Sequence, residues 1–300
     1  MTATYPQLGV VEFGRQLILT RDLDPAYVML QQANMGDAQL ARWLLGYWCT
    51  YHMGVASLLS EREGPAYWQL LAEVADNTGG CPATDDGRWP RNKERRHWRA
   101  RNANLSRIDL QARFAKPEHV LDFIRYGAQE KGKMPEGVGV ADIIRRTQTL
   151  VGFGPWIAFK VADMVDALGL NDLDFSRAAV FMFDNPQAAA IEAWRVSGGF
   201  SDKVHPRDPV ATRDAVVDHL LGAFADLQCP HNRQRHIRVQ EVETVLCKWK
   251  SHRSGHYGPL NDIHEAIGGL SSWGDHSPTA ALLLDQAETM LMDAQEGARP

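Results

Sequence analysis

The chain has 300 residues, of which 44% are hydrophobic, and carries a formal net charge of -5. This length allows one large domain or two small ones, each with a hydrophobic core. The negative net charge excludes a nucleic-acid-binding protein that is basic overall, so any DNA affinity must come from a local basic patch. Four scattered cysteines argue against a disulfide framework, and neither a secretory signal nor an apolar run of roughly 20 residues is recognisable, so we expect a protein of a reducing cytoplasm with no membrane partner.

The predicted elements are helical from one end of the chain to the other. An early helix begins in "DPAYVMLQQA" with Asp24 as N-cap and Pro25 at the first helical position. Residues 37–61 carry a long apolar helical pattern that contains Gly46 and Gly54. Because alternating apolar and polar runs are scarce, we predict an all-α fold. The remaining helical patterns cover 117–129, 209–229, 240–251 and 277–296, and the predicted loops are 77–92, 131–138, 198–209 and 251–259.

A helix-hairpin-helix pattern occupies the middle of the chain. An amphipathic helix over 141–149 is followed by Gly152 and Gly154, and Pro155 starts a second helix. Glycines let the backbone approach a phosphate closely, and the free N–H groups at the start of the second helix point towards it. The pattern indicates a DNA-binding hairpin, and an ordinary helical corner is the alternative. The apolar face of the second helix comprises Ala158, Val161, Ala162, Val165 and Leu168.

An aspartate follows this hairpin at a separation that resembles the hairpin of helix-hairpin-helix DNA glycosylases. Asp174 matches their catalytic aspartate, which faces the flipped base, although a helix cap within "NDLDFS" is the alternative. Trp156 stands where the bifunctional members carry a lysine, which puts a Schiff-base lyase mechanism in doubt. The scattered cysteines also argue against an iron–sulfur cluster.

A basic run, residues 88–101 with the sequence "RWPRNKERRHWRAR", stands out in an acidic chain. Arginine forks suit phosphate and pyrophosphate oxygens, and the interleaved Trp89 and Trp98 suit stacking on bases. The alternative is a solvated helix face with arginines lying along the surface. The cations of the run are Arg88, Arg91, Lys93, Arg95, Arg96, Arg99 and Arg101.

A polar helix near the C-terminus combines several reactive side chains. Its buried stripe is predicted from Val242, Val245, Leu246 and Trp249, while Glu243 and Cys247 lie one turn apart on a neighbouring face. The region is suited to a charged small molecule or a leaving group. A zinc site is the alternative, but no tight Cys-x-x-Cys pair supports it, and we expect no metal. The residues considered for such a site are Cys229, His231, Cys247 and His252.

Several stretches, in order, resemble one family. They are "RDLDPAYVML", "GYWCTYHMGVASLLSE", "RWPRNKERRHWR", "GFGPWIAFKVADM" and "ETVLCKWKS", and they span roughly residues 20 to 265. The chain resembles the alpha-glutamyl/putrescinyl thymine pyrophosphorylases of bacteriophages, also called amino acid:DNA transferases. The resemblance implies a helix-hairpin-helix DNA glycosylase-like helical bundle. We predict one bilobal helical catalytic domain over 10–270, which contains the hairpin at 141–168, and a C-terminal helix and tail over 271–300.

The resemblance also implies a reaction. A separate phage kinase places pyrophosphate on 5-hydroxymethyluracil in double-stranded DNA, and the transferase displaces it with an amine such as an amino acid or putrescine. We expect no cofactor here, because "GAQEKGKM" at residues 127–134 has P-loop spacing but lacks the Ser or Thr that would hold magnesium. A DNA glycosylase and a non-catalytic DNA-binding module are the alternative functions.

The hypothesis assigns a role to each candidate residue. Asp174 is the first choice of general base for the amine and Glu243 the second, and arginines stabilise the departing pyrophosphate. Lys160 is a helper, although Lys160 and Asp163 have the spacing of a simple surface pair. The candidate catalytic residues are Asp174, Glu243 and Lys160, the pyrophosphate ligands are Arg95, Arg96, His97 and Lys248, and the DNA contacts are Gly152, Gly154, Trp156, Arg91 and Arg99.

Overall fold

The computed structural model describes residues 8–95, 97–127, 138–181, 183–197 and 207–297. The predicted all-α class is confirmed, since the strands within these ranges form one two-stranded sheet. Helices α1 to α15 span Val10–Leu19, Pro25–Gln32, Asp37–Thr50, Met53–Ser60, Gly64–Asp76, Ala100–Arg113, Glu118–Tyr126, Val140–Gln148, Pro155–Ala167, Arg177–Val180, Asp184–Val196, Pro209–Ala223, Val239–Arg253, Asn261–Leu270 and Pro278–Gly297, and strands β1 and β2 span Gln228–Cys229 and Asn232–His236.

The chain divides into two compact units, each built from discontinuous segments. The hairpin unit comprises Met29–Leu173 and Glu265–Glu288, and the terminal unit comprises Met1–Val28, Asp174–His264 and Thr289–Pro300. The predicted single domain over 10–270 stays a prediction.

In the hairpin unit, the long apolar pattern over 37–61 forms two packed helices instead of one. Helix α3 ends at Thr50, and its C-cap Tyr51 has a left-handed φ of 54°. The side chain of His52 caps α4 by accepting a hydrogen bond from the Val55 N–H at 3.4 Å. Gly46 and Gly54 lie inside these helices, where close neighbours leave no room for a side chain. An added Cβ would lie 3.0 Å from Leu59 at Gly46, and 2.4 Å from the Trp273 ring at Gly54.

In the terminal unit, helices α1, α10, α11 and α12 pack on or beside α13. The predicted buried stripe of α13 is confirmed, but burial extends further round the helix and takes in Glu241 and Glu243. The prediction of a helix through residue 229 is wrong, because α12 ends at Ala223 and an antiparallel hairpin follows. Pro230 cannot continue a helix, and strands this short show no sequence period.

Of the predicted loops, one is confirmed and one is partly helical. Residues 77–92 contain no helix or strand, whereas α13 extends into 251–259 as far as Arg253. Most of 131–138, most of 198–209 and most of the P-loop-like stretch over 127–134 lie outside the described residues. Among the helices that the structure describes, none is both long enough and apolar enough to cross a membrane.

Candidate functional site

The predicted hairpin is present as two packed helices joined by a tight turn. Helix α8 ends at Gln148, and α9 begins at Pro155 with Gly154 as its N-cap. Gly152 has a φ of +83°, a conformation that side chains rarely adopt. No side chain caps α9, so the first N–H groups of this helix remain available to an anion.

The basic run reaches this turn through Arg95. The side chain is only 7% exposed, with Nη1 donating to the Gly152 carbonyl at 3.0 Å and Nε to the Cys49 carbonyl at 3.1 Å. Its guanidinium lies 5.3 Å from the centre of the Phe153 ring. The remaining nitrogen, Nη2, is buried without a hydrogen-bond partner among the described residues. Burial lowers the pKa of Arg95, and a guanidinium remains charged regardless.

The interpretation of the basic run as a solvated helix face is wrong. The described residues of the run form a loop with a 3-10 turn that leads into the first residues of α6, and both of its tryptophans are buried. Arg91 is half-buried, donates to the Val74 carbonyl at 2.6 Å, and lies 5.6 Å from the centre of the Trp98 ring. The run also has exposed members, while Arg96 lies outside the described residues. The exposed cations are Arg88, Lys93, Arg99 and Arg101, and His97 is exposed beside them.

A small recess of about 160 Å³ opens where the basic run meets the hairpin turn. Two polar groups buried beside it, Trp98 Nε1 and Ser106 Oγ, have no hydrogen-bond partner within the described ranges. Unpartnered buried donors cost free energy, and an anionic or polar ligand would relieve that cost. The recess is lined by His97, Trp98, Asn102, Leu105, Val151 and Gly152.

Asp174 lies in the terminal unit, in the stretch that precedes α10. Its carboxylate is exposed and has no hydrogen bond or ion pair with another described residue. The helix-cap interpretation is wrong, because Ser176 caps α10 by accepting a hydrogen bond from the Ala179 N–H at 3.2 Å. The position leaves Asp174 accessible to a substrate.

The lysines and Glu243 occupy more enclosed positions than the sequence indicated. Lys160 and Asp163 are not a surface pair, since their side chains are 15% and 8% exposed at a separation of 3.4 Å. Glu243 is buried on α13 beside Thr244. The Lys248 ammonium lies 2.6 Å from an Asp262 oxygen and also contacts backbone carbonyls. These partners favour a structural role for Lys248 over pyrophosphate binding.

Comparison with known proteins identifies the family. The model of the amino acid:DNA transferase family matches residues 18–257. The chain belongs to this family. It is also 41% identical over 291 residues to a glycinyltransferase of Pseudomonas phage PaMx11, which covers 93% of this chain and 96% of that relative. The predicted resemblance is confirmed, and the protein is a transferase that acts on DNA.

The match of the transferase family spans the basic run, the hairpin, Asp174 and α13 together. The structure brings the basic run and the hairpin turn into direct contact within one unit.

Sequence reasoning missed an aromatic series in the hairpin unit of the transferase. Tyr51 and Trp156 are half-buried with ring centres 5.3 Å apart, and Tyr47 lies 4.5 Å beyond Tyr51. The series ends at the first turn of α9, where flat rings suit a base outside the helical stack. Its only sequence signal is the aromatic i, i+4 spacing in "WLLGYWCTY", which is equally typical of a core helix.

Proposed function

We propose that this transferase displaces pyrophosphate from 5-(pyrophosphoryloxymethyl)uracil in double-stranded DNA with the amine of an amino acid. Glycine is the first candidate, because the phage relative is a glycinyltransferase. The observation that carries the proposal is the contact between Arg95 and Gly152, which links a cation to the hairpin turn.

DNA binding would begin at the hairpin. The uncapped N–H groups at the start of α9 and the backbone at Gly152 and Gly154 suit a DNA phosphate. Arg91 and Arg99 would hold the neighbouring backbone. A modified group on a stacked base is hard to enclose, so the base is flipped out, and Trp156 with Tyr51 offers it an aromatic surface.

The chemical step is a substitution at the methylene carbon. The bond from this carbon to the pyrophosphate oxygen breaks, and pyrophosphate leaves with the electron pair. The amine nitrogen forms the new bond and loses one proton to a base, for which the exposed Asp174 is the first choice and Glu243 the second. Negative charge develops on the leaving group, where the unpartnered Nη2 of Arg95, together with Arg96 and His97, would stabilise it.

Mass spectrometry tests the proposal directly. DNA carrying pyrophosphorylated hydroxymethyluracil is incubated with the protein and an equimolar pool of glycine, glutamate and putrescine, and its nucleosides are then analysed. We expect the glycine adduct together with an equal amount of released pyrophosphate. Abasic sites would instead indicate a glycosylase, and unchanged DNA a non-catalytic module.

The role of Asp174 has its own test. A missing general base slows turnover by about 10²–10⁴-fold, so we expect this loss for Asp174→Asn. Asp172→Asn is the matched control, because Asp172 is exposed in the same stretch. Equal activities of the two variants would transfer the base role to Glu243.

A further inference from the structure

Three buried metal-ligating side chains meet in the terminal unit, and none of them has a role in the proposed reaction. Cys229 is at the end of β1, His231 is in the following turn, and Glu241 is in the first turn of α13. One ligand atom from each lies within 4.8 Å of the other two. We propose that this cluster is a structural site for a divalent transition metal of the zinc class.

The spacing between His231 and Glu241 suits a metal better than a hydrogen bond. His231 Nε2 and Glu241 Oε1 are 3.4 Å apart, whereas charge-assisted hydrogen bonds are typically about 2.7–2.9 Å long. Two ligands that each lie about 2.0–2.1 Å from a tetrahedral zinc ion are separated by roughly 3.4 Å. The two atoms are therefore placed as they would be around a shared ion.

His231 makes no hydrogen bond of regular geometry within the described residues, and its polar neighbours Cys229 and Glu241 are the other two members of the cluster. The residue is 2% exposed, and neither ring nitrogen has a hydrogen-bond partner among the residues that the structure describes. Buried polar groups without partners are rare and costly. Coordination by one ring nitrogen removes most of this cost.

The carboxylate of Glu241 is held in place around the site. Oε2 accepts from Arg235 Nη1 at 2.9 Å and from the Arg238 N–H at 2.8 Å, and Oε1 accepts from Arg235 Nη2 at 2.9 Å. A second lone pair of Oε1 therefore remains for a metal. Carboxylates that bind a metal are commonly held by hydrogen bonds from a surrounding shell, a role that Arg235 and the Arg238 N–H would have here.

The donor set indicates the kind of metal and its role. A thiolate with an imidazole and a carboxylate suits zinc or cobalt, and it does not suit calcium or magnesium. Cys229 is 0% exposed, so we infer that the ion pins the β1–β2 hairpin to the start of α13. These three protein ligands would leave one position of a tetrahedral ion for a further ligand.

Cobalt substitution tests the site without any activity measurement. The full-length protein is stripped with a chelator, titrated with Co²⁺, and then with Zn²⁺. We expect one Co²⁺ per chain with a thiolate-to-cobalt charge-transfer band that Zn²⁺ abolishes, and a higher melting temperature on adding either ion, because a metal bound only by the folded state stabilises it.

The variants assign the ligands. Cys229→Ser is expected to lose the charge-transfer band, and Cys247→Ser, which changes another cysteine of the terminal unit, is expected to keep it. A band that survives in Cys229→Ser would overturn the proposal. The absence of any band in the wild-type protein would also overturn the proposal, and His231 and Glu241 would then form an ion pair without a metal. This wild-type result tests the proposal even if Cys229→Ser fails to fold.

Discussion

At the scale of single residues, burial gives different roles to charged side chains that look equivalent in the sequence. Arg95 belongs to a run of cations, yet it is buried and binds backbone carbonyls from two other segments. Arg101 in the same run is exposed. One guanidinium therefore supports the hairpin turn, and in the proposed mechanism its unpartnered nitrogen also contacts the leaving group.

Replacing Arg95 tests this double role. Arg95→Lys keeps the charge but cannot donate to the Cys49 and Gly152 carbonyls together. Each hydrogen bond from a charged group contributes about 1.5–3 kcal/mol, so the loss of one of these two bonds is expected to lower the free energy of unfolding by roughly 1.5–3 kcal/mol. Urea unfolding measures the loss, and Arg101→Lys is the control. Equal stability of both variants would show that the buried contacts of Arg95 contribute little.

A second residue-scale prediction concerns Asp22, a fully buried carboxylate in the terminal unit. Burial is the main cause that raises its pKa from 3.8 to about 6, Asp262 adds to the rise, and Lys248 opposes it. Hydrogen bonds from the Ile263 N–H and the Tyr257 hydroxyl also lower the pKa, but burial prevails. Folded Asp22 therefore binds its proton more tightly than the unfolded chain does.

The consequence is a stability contribution that is complete below about pH 4 and is lost as the pH rises through about 6. Its size is roughly 3 kcal/mol, from about 1.4 kcal/mol per pKa unit. Compared with Asp22→Asn, the wild-type free energy of unfolding is expected to fall by this amount between pH 4 and pH 7 in urea titrations. Asp226→Asn changes an exposed carboxylate as a control. A constant difference between wild type and Asp22→Asn would contradict the raised pKa.

At the scale of elements, the hairpin shows two glycines with different tasks. Gly152 adopts a left-handed φ and packs against Ser106, whereas Gly154 has a φ of -74° and open space around its Cα. The first glycine serves the fold of the turn. The second leaves the N-terminus of α9 open to a close approach.

Alanine substitutions separate the two tasks. In Gly152→Ala the new Cβ would lie 3.2 Å from Ser106, and with the left-handed backbone this costs about 1–3 kcal/mol. Gly154→Ala is expected to change stability by less than about 0.5 kcal/mol but to weaken DNA binding, because its methyl group obstructs the phosphate. Thermal melting and DNA-binding isotherms measure both effects. Wild-type affinity in Gly154→Ala would place the phosphate elsewhere.

At the scale of the whole molecule, an acidic protein has to bind a polyanion. The net charge of -5 opposes DNA binding, so we expect local cations, those of the basic run, to contact the DNA phosphates. Affinity that depends on phosphate contacts falls with salt in proportion to the number of contacts.

The salt dependence of DNA affinity therefore measures the number of contacts between protein cations and DNA phosphates. Arg99→Ala removes an exposed cation of the basic run and is expected to reduce the slope of log K against log[salt] by about 1, uniformly across DNA sequences. Arg15→Ala, which removes an arginine paired with Asp226 in the terminal unit, is the control. An unchanged slope for Arg99→Ala would exclude a phosphate contact at this residue.

The amino-acid sequence by itself determined the helical class, the hairpin boundaries and the family. Each rests on local signals: helical period, the glycines of "GFGPW" with a proline at the helix start, and ordered motifs. The break between α3 and α4 escaped it, because Tyr51 carries no local signal for a left-handed conformation.

Only the tertiary structure decided which side chains are buried and which meet. The contact of Arg95 with Gly152, the enclosed Lys248, and the cluster of Cys229, His231 and Glu241 each join segments that no sequence period connects. From the sequence, the residues considered for a zinc site were Cys229, His231, Cys247 and His252. Glu241 was not among them. Burial and pairing are properties of a neighbourhood assembled from distant segments, so residue type and spacing alone do not determine them.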